Sequence, residues 1–282
     1  MGVKTYSNLP REHEERHTVR CVLCGSADNR FLYEVSGARF VRCSDCGAVF
    51  QNPMPHARHL HERYDSDYFS YELENETAFF TLMKLGLEDV GFSSLECGSY
   101  DERRFLDIGC ATGMLLEDLR DRGGWDVYGV EVCRESAEYG RKKRGLRIFN
   151  GTLRQAEFPE EIFDVVHASH VIEHIDEPVS FMEEIWRELK PGGYAIISTP
   201  NIGGLQSRIF KEGWRSAIPD HMVLYSKQTM HRLLLGTGFQ VCKKKTWGGL
   251  AAGLTAPFLK NILDKAAKRF GFGDVMIFLA RK

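Results

Sequence analysis

The chain has 282 residues, of which 43% are hydrophobic, and its 37 Lys and Arg against 39 Asp and Glu give a formal net charge of -2. This length and apolar content suit one catalytic domain plus a smaller module, and the charge excludes a polycationic nucleic-acid binder at whole-chain level, leaving only local patches. The opening MGVKTYSNLPREHEERH has no apolar leader core, and no apolar run approaches the roughly 18 residues of a membrane span, so a cytoplasmic protein is expected.

In a reducing compartment the eight cysteines remain thiols. Clustered ones then point to metal, whereas Cys97 and Cys242 read as small buried hydrophobes. Cys21, Cys24, Cys43 and Cys46 form C-x2-C-x18-C-x2-C, each pair followed by glycine, Gly25 and Gly47. Two residues between thiolates let one tight turn present both sulfurs to a tetrahedral zinc, and the glycine lets backbone amides face the sulfurs. RFLYEV and ARFVRC, joined by Ser36-Gly37, predict the two strands of a hairpin that such a metal would staple. A redox dithiol is the alternative, but it needs one pair, while two pairs complete a four-coordinate site with no open position, hence a structural zinc. The two knuckles resemble a zinc ribbon, expected over residues 1–50.

Residues 51–100 predict a linker followed by a helix, from the i, i+3, i+4 apolar spacing of the second half. His56, His59 and His61 read as solvated or partly packed, since they lack a clear ligand partner set. Tyr64, Tyr68 and Phe69 read as packing, with a lid over a neighbouring site as the alternative.

From residue 104 short apolar runs alternate with amphipathic segments: RFLDIG, MLLEDLRDRG, DVYGVE, SAEYGRKKRG, RIFNG, FDVVHAS, PVSFMEEIWRELK, then the turn PGG and YAIISTP. That alternation predicts βαβ units around a parallel sheet over residues 101–282. SKQTMHRLLLGTG predicts a further helix, followed by the strands FQVCKKKTW and DVMIFLA.

FLDIGCATG carries the cofactor chemistry: Asp107 ends an apolar strand, and Gly109 and Gly113 frame the turn into a helix. A nucleotide-like ligand binds at such carboxyl ends, where small residues allow close backbone approach. A G-x-G-x-x-G dinucleotide fingerprint starting at Gly109 would need glycine where Ala111 and Met114 stand. Glu131, ending the second strand, can accept hydrogen bonds from both ribose hydroxyls of either NAD or S-adenosylmethionine.

LDIGCATG, GVEV, FDVVHASHVIEHI and LKPGGYAIISTPN, in that order and spacing, resemble the class I S-adenosylmethionine-dependent methyltransferases. The cysteine module is similar to the zinc-binding N-terminal region of some bacterial methyltransferases, including sugar C-methyltransferases. The resemblance implies a Rossmann-like α/β fold with a seven-stranded sheet whose last strand, DVMIFLA, inserts antiparallel. By position it implies Asp107, Gly109, Cys110, Ala111 and Gly113 around the methionine part, Glu131 with Val132 at the ribose, and Thr152 with Leu153 near adenine. Ser169 and His170 would face the methionine part and the substrate. The usual middle glycine is Ala111 here, a departure that narrows the approach to the loop.

Because a sulfonium already activates the methyl group, such an enzyme aligns a nucleophile and takes its proton, and no metal is required for that. Candidate bases are His170 and His174 after the fourth strand and His221 in PDHMVLY, with His221 preferred. A bracing role competes for His221, a backbone hydrogen bond for His174, and His167 reads as a buried, satisfied histidine. Substrate choice is expected in GWRSAIPDHM, with Trp214 and Arg215, and in GGLAAGLTAPFLKNILDKAAKRFG. The cations of the latter, Lys260, Lys265, Lys268 and Arg269, could meet an anionic substrate, a membrane surface or water. The expected acceptor is a small molecule. Arg20, Arg30, Arg39 and Arg42 make the ribbon locally basic, so RNA or protein recognition is the alternative. A non-catalytic scaffold is the third reading.

Overall fold

The computed structural model describes residues 15–56, 64, 66–96, 103–249 and 257–282. Cys97, His59 and His61 lie outside them. The chain begins with the short strands β1 (Arg16–His17), β2 (Asn29–Val35), β3 (Ala38–Cys43), β4 (Val49–Gln51) and β5 (Met54–Pro55). β2 and β3 form the expected hairpin, and Ser36 and Gly37 both take positive φ, 46° and 77°, as a two-residue turn matched to strand twist requires. β1 pairs antiparallel with β5, Arg16 opposite Pro55 and His17 opposite Met54.

A long helix, α1 (Ser66–Val90), and the turn-length α2 (Ser93–Glu96) precede the alternating part. That part continues as β6 (Arg104–Ile108), α3 (Met114–Arg122), β7 (Asp126–Glu131), α4 (Arg134–Arg144), β8 (Ile148–Asn150), α5 (Leu153–Ala156), β9 (Phe163–Ser169), α6 (Pro178–Glu188) and β10 (Leu189–Pro200). It ends with α7 (Leu205–Phe210), β11 (Val223–Leu224), α8 (Lys227–Gly236), β12 (Gln240–Trp247), α9 (Pro257–Phe270) and β13 (Val275–Arg281).

The large sheet has seven strands in the order β8, β7, β6, β9, β10, β13, β12, and β13 runs antiparallel to both of its neighbours. This is the expected Rossmann-like sheet with DVMIFLA inserted against the others. β10 starts earlier than expected: Leu189 already pairs with Phe163, and the PGG segment is an irregularity inside the strand before pairing resumes at Tyr194. The central strands β6, β9 and β13 are buried on both faces, so successive residues serve opposite cores. Leu106, Val166 and Ile197 pack with α6 and α8, while Phe105, Val165 and Ile196 pack with α1 and α3. Cys242 corrects the buried-hydrophobe expectation: it lies on the edge strand β12 and is exposed, because an edge strand has no outer neighbour to cover it.

A second sheet joins the two parts of the chain. Its order is β2, β3, β4, β11, with Val223 paired to Phe50 and Leu224 to Val49. β11 comes from the segment just after His221, so the module's small sheet is completed by a strand from the later part of the chain. Phe40 and Val49 pack on one side against Trp214 and Ala217, while Val41 and Phe50 join the main core on the other.

Candidate functional site

The sulfurs of Cys21 and Cys46 are 3.4 Å apart, those of Cys24 and Cys43 are 3.6 Å apart, and all four lie within 4.8 Å of one another. A tetrahedron with metal–sulfur bonds of about 2.3 Å has edges of roughly 3.8 Å, so the donor set suits one four-coordinate ion. Gly25 and Gly47 take φ of 73° and 77° and donate their N–H to the carbonyls of Cys21 and Cys43. The amides that face sulfur belong instead to Leu23 and Cys24 in the first knuckle and to Asp45 and Cys46 in the second. Glycine closes the turn, and its neighbours solvate the sulfur. Burial opposes ionisation of Cys43, but the Cys46 and Asp45 amides bring its thiol down to about 7.

The loop after β6 closes onto β7, with the N–H groups of Gly109 and Cys110 both donating to Val130 O, at 2.8 and 3.2 Å. At Gly109, φ is 68° and a Cβ would lie 2.6 Å from Val171 Cγ2, so no larger residue fits without a shift. Ala111 keeps the same turn with φ of 49°, a conformation that costs a side-chain-bearing residue roughly 1–2 kcal/mol. Its N–H donates to Glu131 Oε2 at 2.9 Å, while Cys133 N donates to Glu131 Oε1 at 2.7 Å. Glu131 is thus fixed by two amides and still has lone pairs for a diol. Asn150 Nδ2 ties the carbonyls of Glu131 and Val132, at 2.9 and 3.1 Å, to the end of β8, where Thr152 and Leu153 follow. The Thr152 hydroxyl caps α5 by accepting from Gln155 N, and Leu153 is core.

Asp107 and Cys110 face inward. The Asp107 carboxylate accepts from His167 Nδ1 at 2.7 Å, both groups being buried, so His167 is the satisfied core histidine that was expected. The Cys110 thiol packs under Gly129 of β7. Burial raises its pKa, and so do the surrounding carboxyls of Glu131, Asp107 and Glu72.

Glu72 was not singled out in the sequence. α1 lays it over the loop, where it is 7% exposed and accepts from Ser136 Oγ at 2.5 Å. Burial and repulsion from Glu131 push its carboxyl up to about 8. One helical turn on, Glu76 accepts from Thr112 Oγ1 at 2.9 Å and pairs with Arg144 at 2.8 Å. Tyr68 contacts Glu72, which with burial raises its hydroxyl's pKa. The α1 segment therefore covers the loop, and a cationic ligand there would favour the ionised forms of the Glu72 and Glu131 carboxyls, which burial opposes.

At the end of β9 a second cluster forms. Ser169 Oγ meets Ser198 Oγ at 2.8 Å, and His170 follows in a left-handed conformation, φ 56°, with its side chain 49% exposed. His170 Nδ1 donates to Glu173 Oε1 at 3.1 Å, and Thr199 Oγ1 donates to Glu173 Oε2 at 2.9 Å. Burial disfavours the Glu173 charge, but the His170 hydrogen bond and the nearby imidazoles hold it at about 2. His174 Nδ1 donates to Asp220 O at 2.9 Å and His221 Nδ1 to Ser216 O at 2.8 Å. Carbonyls only accept, so in its neutral form each ring offers Nε2 as an acceptor. The rings meet edge to face at 4.8 Å, and His174, His221 and Glu173 each offer an atom close enough together to hold a cation. Burial, then repulsion from His174, bring His221 down to about 4. Glu173 was the residue missed here, although an acid three positions after His170 was legible as a possible ring partner.

Trp214 and Arg215 both meet Asp274. Trp214 is 2% exposed and donates to Asp274 Oδ1, while Arg215 pairs with Oδ2 of the same buried carboxylate at 2.6 Å. They lock the segment before His221 onto the start of β13.

A family model described as a methyltransferase domain matches residues 83–244, more than half of the chain. The chain belongs to this methyltransferase family. Ubiquinone biosynthesis O-methyltransferase from Parvibaculum lavamentivorans is 29% identical to it over 179 residues, 62% of this chain and 66% of that protein. The protein of the same name from Roseobacter denitrificans is 37% identical over 103 residues, 35% of this chain and 41% of that one. The methyltransferase chain thus spans two thirds or less of these relatives' length. Among solved structures, a possible histamine N-methyltransferase from Thermotoga maritima superimposes with a TM-score of 0.56 at 21% identity, covering 80% of this chain and all of that one. A methyltransferase from Archaeoglobus fulgidus gives 0.54 at 21% identity, over 75% and 99%. Both share the fold. The matched span of the methyltransferase family holds the Gly109 loop and the Glu173 cluster but leaves the cysteine module outside.

Proposed function

We propose that this methyltransferase moves the methyl group of S-adenosylmethionine to a small-molecule acceptor, with His170 taking the acceptor's proton and the zinc-bound cysteine module forming a wall of the acceptor site. The observation that carries this reading is the Thr199–Glu173–His170 chain of hydrogen bonds beside the two Nε2 lone pairs of His174 and His221. S-adenosylmethionine, when bound, supplies a methyl group already activated on a sulfonium. Glu131 would hold its ribose hydroxyls, the Gly109 loop its methionine part, and the carboxyls near Cys110 suit its positive charge.

Alignment and proton removal are then left to the protein. His170 is half exposed, its Nδ1 is committed to a buried carboxylate, and its Nε2 is free to accept a proton, leaving an imidazolium that Glu173 stabilises. The first choice from sequence, His221, suits this less, because burial has lowered its basicity. His221 and His174 serve better as fixed acceptors that orient the donor groups of the substrate. Relatives named for an O-methylation step support a hydroxyl acceptor. The wall role rests on β11, whose pairing with β4 joins the module to the His221 segment. Four thiolates favour zinc and leave no open position, so the metal there is structural.

Calorimetric titration with S-adenosylhomocysteine, with NAD as control, tests the donor site, and a panel of phenolic acceptors with radiolabelled donor tests the acceptor. Binding of S-adenosylhomocysteine alone, and label transfer lost in His170→Ala, are expected. Equal binding of NAD, or label entering RNA instead of the panel, would overturn the reading.

A further inference from the structure

At the β12 edge of the large sheet, a cavity of about 520 Å³ opens between α7, the first turn of α8 and the end of α9. It is lined by Arg208, Lys227, His231 and Lys244, with Gly203 and Phe270 among its other walls. Among the described residues, Arg208, Lys227 and Lys244 have no hydrogen-bond or ion-pair partner. That is unlike the other cations of the region, since Arg215 pairs with Asp274 and Lys268 with Asp89. In the sequence, residues 248–263 contain no Asp or Glu, and the first acid after them, Asp264, accepts from Gly249 N at 2.8 Å. Burial, and then the charges of Lys244 and Arg208, hold the Lys227 ammonium below its ordinary range. Cations gathered in a recess without acids are at a higher potential than the same cations spread over a surface. An anion entering it relieves their repulsion.

We infer that this cavity binds the phosphoryl group of an organic phosphate through Arg208, Lys227 and Lys244, at a site apart from the methyl-transfer centre. A phosphoryl anion matches converging ammonium and guanidinium donors, and the N–H groups in the first turn of α8 add partial positive charge. Phe270, 74% exposed at the rim, offers a ring face to the organic part of the ligand. The volume falls in the range of small-molecule sites. None of Asp107, Glu131, His170, Glu173 or His221 lines the cavity, so the inference stands whether or not the proposed methyl transfer does. Among the described residues, the end of α9 contributes Phe270, while the free charges come from α7, α8 and β12.

The test uses pyrophosphate as probe, titrated calorimetrically into the full chain at fixed ionic strength with chloride as control. Saturable pyrophosphate binding is expected, weakened on the order of tenfold in each of Lys227→Ala and Lys244→Ala, as removal of one charge-assisted hydrogen bond requires. Lys244 is exposed on an edge strand, so its replacement leaves the fold intact and keeps the comparison valid. Lys142→Ala, which removes an exposed cation paired with Glu138, should bind as the wild type does. Sedimentation with phosphatidylglycerol vesicles, against phosphatidylcholine, then separates two sources of the phosphoryl group. Vesicle binding competed by pyrophosphate supports a lipid headgroup, and pyrophosphate binding without vesicle binding supports a soluble phosphate. No binding of either, or binding unchanged in both lysine variants, overturns the site.

Discussion

The side-chain amide of Gln51 donates to the carbonyl oxygen of His221 at 2.9 Å and to that of Pro219 at 2.7 Å. Gln51 is the last residue of β4 and is fully buried, its backbone N–H donates to Met222 O, and its Oε1 accepts from Arg16 at 3.1 Å. One side chain therefore ties the cysteine module to the turn that aims His221.

Replacing Gln51 by Ala leaves two buried carbonyls without a donor. Each unmet group costs about 1–3 kcal/mol, so a total loss of roughly 2–6 kcal/mol is expected in urea unfolding. Turnover should fall while S-adenosylhomocysteine affinity stays within about twofold, because the donor loop is built on other strands. A loss of donor affinity equal to the loss of turnover would place the defect in the whole fold instead.

The bases can be ranked by substitution. His170→Ala should lower kcat by about 10²–10⁴-fold, the usual contribution of proton transfer. His221→Ala should raise KM more than it lowers kcat, since that ring orients without titrating in the working range. Steady-state kinetics with a saturating donor reads both, and the opposite ranking would restore His221 as the base.

Metal removal should act at a distance. Cys24→Ser breaks the four-thiolate set, and zinc content measured by atomic absorption should drop from one ion per chain. The β4 and β11 pairing then loses its support, so methyl transfer falls although S-adenosylhomocysteine still binds. Wild-type turnover in a zinc-free variant would reduce the module to an appendage.

Glu72 carries a pH signature. Its folded-state pKa, about 8, lies above the value near 4.5 of an unfolded chain, so the folded state holds the proton more tightly. Its contribution is fully present below the unfolded value and is lost as pH rises from about 4.5 towards 8. Glu72→Gln removes that dependence, and the variant's advantage in thermal stability should grow between pH 5 and pH 8, reaching on the order of 1–3 kcal/mol. A constant difference across that range would mean that Glu72 is ionised throughout.

Much of this was legible in the chain itself. Local spacing determined the C-x-x-C-G knuckles, the Ser36-Gly37 hairpin, the alternation of strands and helices and the glycine loop with Glu131, because each depends on neighbours a few residues apart. The order of four motifs then determined the family. Glu72 was not legible, since its neighbour Glu131 lies in a different element and is met only when α1 folds over the loop. Nor was the choice among histidines: His170, His174 and His221 read alike in a sequence, and only burial and the partners of each Nδ1 separate them. Trp214, expected at the substrate, is locked to Asp274 sixty residues later in the chain. The same holds for the cysteine module. Its cysteines foretold a four-thiolate donor set, but that its sheet would be completed by β11 was decided by tertiary pairing, because unpaired backbone at a strand edge takes whatever complementary strand the folded chain brings to it.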